Sequence, residues 1–157
     1  MKRKALAIAA AATCAIGFSL PAAAQVSGDT IKIGLLTDMS GVYSDIDGVG
    51  GAEAVKMAIA DAGGNIAGKK IEFVSADHQN KADIAASKAR AWFDQQGDDM
   101  LIAGTNAGAN LAMAKVAAEK KKVFISIGAG SARLTNEECS PYTIHYAYDT
   151  IALARGT

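Results

Sequence analysis

The run "LIAGTNAGANLAMAK", Leu101 to Lys115, passes from an apolar stretch into a helical one through a joint made almost wholly of small residues. Bare main chain at the start of a helix carries N–H groups with no partner inside the helix, and with the helix dipole they attract a carboxylate or phosphate. Asn106 or Thr105 can cap a helix beginning near Ala107, leaving the amides of Ala107, Gly108 and Ala109 for an anion. Tight packing of helix on sheet selects the same small residues, so both readings of the joint stand. A second open segment, Gly128-Ala129-Gly130-Ser131, adds a hydroxyl to bare main chain. Tyr43 and Tyr148 can stack on the apolar part of a small molecule, or can be ordinary half-buried aromatics.

Other chemistry finds little support. Gly104 to Asn110 lacks the lysine of a phosphate loop. "GAGSAR", Gly128 to Arg133, begins like a dinucleotide fingerprint, yet Arg133 stands in place of the third glycine and the motif follows a fourth strand instead of opening the unit. Asp45-Ile46-Asp47-Gly48 holds part of a calcium-loop pattern without its third acid or closing glutamate, and reads as a solvated loop. His78 and His145 are isolated, no Gly-x-Ser-x-Gly elbow occurs, and Asp77 has no carboxylate partner at helical spacing. No catalytic residue, metal ion or cofactor is expected.

Alternating strands and helices must position these loops. Thr30–Leu36 is a β-rich run, and Gly48–Ala62 sets Ala52, Val55, Ile59 and Ala62 on one helical stripe. "GGNIAGKK" from Gly63 reads as a stop and turn before a second strand over Lys70–Ala76. A helix over Asp83–Gln96, with Ala85, Ala89 and Trp92 aligned, leads to a third strand at Met100–Ala103. Ala107–Lys120 places Ala109, Ala112, Met113 and Val116 at helical spacing, and "VFISI" from Val123 is a fourth strand. This order predicts an α/β fold with a parallel sheet, flanked and covered by helices on both faces, and ligands at the carboxyl ends of the strands.

The chain's first residues read as an export signal. Lys2, Arg3 and Lys4 precede an apolar segment from Ala5 to Leu20, and Ala22-Ala23-Ala24 offers a small-residue cleavage pattern, so residues 1–24 are expected to be removed after Ala24. That leaves a net charge of −3, a soluble product and no stable membrane insertion, and it argues against a nucleic-acid partner. Cys139 alone survives processing, is expected as a half-buried thiol, and has no internal partner.

Taken together, "IKIGLLTDMSGVYSDIDGVGGAEAVKMAIADAGGNIAGKKIEFVSADHQN" and "GAGSARLTNEECSPYTIHYAYDT" resemble the opening of branched-chain amino-acid-type solute-binding proteins of ABC importers, with a likeness running from Thr30 to the end. The resemblance implies a two-lobed, non-catalytic, periplasmic receptor of the type I periplasmic binding fold, which closes on a small carboxylate ligand and delivers it to a membrane permease. The ligand would be an amino acid or an aromatic or other organic acid. Residues 25–141 then read as part of lobe one and 142–157 as the start of a crossing to a second lobe, so that this span alone should bind weakly. The resemblance places ligand contacts at Asn106–Gly108 and Gly128–Ser131, with Ala107 where a serine is usual. Two alternatives stand beside this: a sensing domain of the same fold feeding a chemoreceptor or regulator, and a truncated nucleotide-binding enzyme of the doubly wound type. Against the latter, the first loop, "TDMSGVYSDIDG", offers Ser40, Tyr43 and acids where a glycine fingerprint belongs.

Overall fold

A computed structural model describes residues 28–156, so the export signal and Cys14 lie outside the described residues. Its central strand, Thr30–Thr37 (β1), is buried over its last five residues. A one-turn helix, Ser44–Asp47 (α1), precedes the longer Val49–Asp61 (α2). Between α2 and the next long strand the glycine-rich segment is more than a turn: Asn65–Ile66 (β2) pairs antiparallel with Lys69 and Lys70 at the start of Lys69–Asp77 (β3). Gly63, Gly64 and Gly68 take φ values of 74°, 71° and 78° there, a region glycine enters without a Cβ penalty.

Ala82–Ala91 (α3) widens into a π-helical turn over Trp92–Gln96, ended by Gly97 in the left-handed conformation. Met100–Ala103 (β4), Ala107–Lys120 (α4) and Val123–Ser126 (β5) follow as the spacing predicts. After a short 3-10 turn at Ala132–Leu134, Thr143–His145 (β6) joins the sheet beside β5, and Thr150–Gly156 (α5) closes the described chain. β6 lies within the stretch expected to begin a crossing. No helix among the described residues is long and apolar enough to cross a membrane.

The sheet order is β2-β3-β1-β4-β5-β6, parallel except for the β2–β3 pair. The chain leaves β1 toward β3 and then returns past it toward β4, β5 and β6, so right-handed connections put α2 on one face and α3 with α4 on the other. Side-chain positions agree: a Cβ added to Gly51 of α2 would touch Leu35, whereas one added to Gly34 would strike Trp92.

The two faces are covered unequally. On the α3–α4 face Leu36, Leu101, Ala103 and Phe124 are fully buried, packed with Ala85, Ala89, Met113 and Val116. On the α2 face the register row Leu35, Ile102, Ile125, Ile144 runs from fully buried at Leu35 to 51% exposed at Ile144. Helices flank both faces, but α2 covers only the region around β1.

Candidate functional site

Four loops meet at the carboxyl ends of the parallel strands, each braced by its own polar groups. Asp38, buried just past β1, accepts from the amides of Gly41 (2.8 Å) and Tyr43 (3.1 Å). A Cβ on Gly41 would come within 2.5 Å of that carboxylate, so the turn requires glycine. In α1, Asp47 is buried and accepts from Thr37 Oγ1 (2.8 Å) and Thr105 Oγ1 (2.5 Å), tying the ends of β1 and β4 together. The expectation of a solvated Asp45–Gly48 loop therefore fails at Asp47, whose carboxylate turns inward to two hydroxyl donors; Asp45 and Ile46 remain exposed.

In the second loop Asp77 accepts from Met39 N (3.0 Å), Ser40 Oγ (2.5 Å) and Gln79 N (2.6 Å). Partial burial raises its pKa, but these bonds and the nearby His78 outweigh that and hold it below the usual carboxylate value. His78 is fully buried, and its Nδ1 accepts from Asn80 N (3.1 Å), which assigns the proton to Nε2; that atom has no partner among the described residues. Burial lowers the imidazole's pKa against the pull of Asp38, Asp77 and Asp47, so the ring is a neutral core group.

Asn106 caps α4, its Oδ1 accepting from Ala109 N (2.7 Å) while its Nδ2 donates to Asn80 Oδ1. Of the three amides expected to be free, Ala109's is thus taken; no described residue accepts from those of Ala107 and Gly108. Gly104 is bare because a Cβ would overlap Asp47 and Thr37 Oγ1. Gly128 is bare because Thr105 Oγ1 would stand 2.9 Å away, and Gly130 because the Tyr148 ring would stand 3.0 Å away. Packing explains these three glycines, and the open amides at Ala107 and Gly108 remain beside them.

A cavity of about 450 Å³ opens over this joint. Tyr43, Ala107, Gly128, Gly130, Ser131 and Tyr148 line it, six residues marked out by the sequence and brought together from the segments that follow β1, β4, β5 and β6. Three others lie elsewhere: Asn106 is spent on the cap, Gly108 is exposed in the first turn of α4, and Ala129 is fully buried with its carbonyl 2.5 Å from His145 Nε2. Thr105, Thr150 and Leu153 line the cavity as well. No charged side chain lines it, and the Ser131 hydroxyl has no partner among the described residues. The site thus offers two aromatic walls, hydroxyls and neutral main-chain donors at a helix start, suited to orienting a small anion with an apolar body. Among the described residues no group of three or more His, Cys, Asp and Glu could hold a metal. Cys139 is exposed, not half-buried, in a surface segment that lies near Ala114 and Ala118 of α4.

Residues 30–157 match the family model described as periplasmic binding protein. No curated protein sequence matches. Similar solved structures include the following three. A periplasmic binding protein from Burkholderia mallei is 67% identical with a TM-score of 0.80, over 82% of this chain and 34% of that one. A branched-chain amino acid ABC transporter periplasmic ligand-binding protein from Burkholderia xenovorans is 38% identical (TM-score 0.73; 81% of this chain, 36% of that one). A solute-binding protein of an ABC transporter from Rhodopseudomonas palustris, in complex with 3,4-dihydroxybenzoic acid, is 29% identical (TM-score 0.69; 78% and 33%). The chain spans about a third of the length of these structures.

Proposed function

The chain belongs to the periplasmic binding protein family, and from that premise we propose that it serves in the periplasm as the solute-capturing, non-catalytic component of an ABC importer. Its cargo on this reading is a small carboxylate, an amino acid or an aromatic acid, handed on to a membrane permease. The observation that carries the reading is that one cavity without a charged side chain is lined by Ala107, whose amide has no acceptor among the described residues, by Gly130 and Ser131, and by two tyrosines. Charge-assisted hydrogen bonds contribute about 1.5–3 kcal/mol each, and a helix start adds up to about 2 kcal/mol in partly buried geometry. Two or three such contacts orient a carboxylate; tyrosine rings supply contact area for the rest of the molecule.

This arrangement binds without reacting. Asp38, Asp47 and His78 are not among the residues that line the cavity, so no acid–base pair stands over a bound molecule. Calorimetry of the full-length protein with benzoate, 3,4-dihydroxybenzoate and L-isoleucine tests the reading. Binding of at least one acid, weakened about tenfold by Ser131→Ala, is expected. Failure of every acid to bind would sink it.

A further inference from the structure

Thr105 differs from every other hydroxyl around the cavity in what it can still do. Its Oγ1 lies 2.5 Å from Asp47 Oδ2 and donates to it, and a hydroxyl has one proton to give. Asp47 also accepts from Thr37 Oγ1 at 2.8 Å, so each of its two oxygens is engaged as an acceptor from a hydroxyl. The carboxylate is held in place because Gly104 has no side chain to displace it. Thr105 meanwhile is one of the residues that line the cavity, and its oxygen lies next to Gly128, another of them. Ser131, Thr150 and the two tyrosines can each turn to donate or accept; Thr105 can only accept. The carbonyl of Ala129, another acceptor of the same region, is occupied by His145.

Resting on the carboxylate-receptor reading above, we propose that Thr105 selects cargo that brings its own hydrogen-bond donor, an ammonium or hydroxyl group, in addition to its carboxylate. Asp47 is the positioning residue that sets this preference, through the Thr105 proton and without touching the ligand. A ligand lacking a donor leaves the Thr105 lone pairs unpaired when water is displaced, which is how a polar site rejects a near-isosteric analogue.

Two matched pairs of acids test this in the full-length protein by calorimetry: L-isoleucine against 3-methylpentanoate, and 3,4-dihydroxybenzoate against benzoate. The donor-bearing member of at least one pair is expected to bind about tenfold tighter. Thr105→Val should bring that ratio toward one, whereas Thr105→Ser, which keeps the hydroxyl, should preserve it. Asp47→Asn should also reduce it, since an amide donates as well as accepts and lets one hydroxyl turn its proton away. Should Asp47→Asn fail to fold, the two Thr105 variants decide alone. A ratio near one in the unaltered protein, or a ratio that survives Thr105→Val, overturns the inference while leaving the receptor reading intact. If none of the four acids binds, both fall together.

Discussion

Trp92 stands directly against Gly34: a Cβ built on this glycine of β1 would lie 2.6 Å from Cε3 and Cζ3 of the indole and 2.8 Å from Asp98 Oδ2. The ring is buried at the start of the π-helical turn, held among Ala85, Ala89 and Phe93, and has nowhere to retreat. Gly34→Ala is therefore expected to destabilise the fold by about 1–3 kcal/mol, the usual cost of overpacking a closed core. Urea unfolding should show a lower midpoint at unchanged slope; an unmoved midpoint would contradict this packing.

Asp98 sits at the other end of the sheet from the cavity and is almost wholly buried, with one carboxyl oxygen lacking any partner. Burial pushes its pKa from 3.8 up to about 6, against the attraction of Lys32 and Lys122 and with the help of Asp99. The folded chain thus holds this proton more tightly than the unfolded one. Its stabilising contribution is present below pH 3.8 and is lost as pH rises through about 6. Asp98→Asn should raise stability at pH 7 by about 1–2 kcal/mol and change it little near pH 4, read from thermal unfolding at both values. His78 works in the opposite sense: with its pKa lowered from 6.5, acidification below that value favours the unfolded state. The Asp98→Asn variant should consequently lose stability more steeply below pH 6.5 than the unaltered protein does.

Gly104 and Gly108, four residues apart, should respond to alanine with opposite signs. At Gly104 a methyl group would overlap the Asp47 carboxylate and Thr37 Oγ1, breaking the tie between β1 and β4. A loss of 2 kcal/mol or more, on the order seen when a buried polar contact is disrupted, is expected. At Gly108 only Asn106 Oδ1 comes near, at 3.5 Å, and the position lies inside α4. Alanine there should be neutral or stabilise by up to about 1 kcal/mol through helix propensity. Paired denaturation curves check both, and equal effects would refute the packing argument.

Ala107→Ser places a hydroxyl in the cavity wall next to its own open amide. If a carboxylate occupies that corner, one added charge-assisted bond should tighten its binding about tenfold. Titration of benzoate into the full-length variant measures the gain; weaker binding would place the acid group elsewhere.

How far these features could be read from residues alone depended on length and on sign of charge. Elements that repeat an apolar spacing over two turns or more, such as α4 with Met113 and Val116, are legible, as are the apolar runs of β1, β4 and β5. β2 and β6 span two and three residues, too few for any period to show, and exist because a neighbouring strand offers an edge. The π-helical turn keeps helical composition, so its wider winding leaves no mark in the pattern. At the cavity, the glycines of both loops were visible, but Asp47 was not: an acid beside Asp45 reads as solvated, and only Thr37 and Thr105, distant in the chain, make its burial tolerable. Thr105 was legible as a possible cap; its service to Asp47 was not.

The donors at the amino end of α4 belong to the polypeptide backbone itself. No point substitution short of proline can erase a main-chain N–H, so the acid anchor proposed there would be indifferent to most changes of codon. Tyr43, Thr105, Ser131 and Tyr148 enjoy no such protection, each being a single replacement away from a different contour. On the proposed reading, a lineage using this scaffold would exchange one cargo for another by redecorating the rim, with the main-chain donors left untouched.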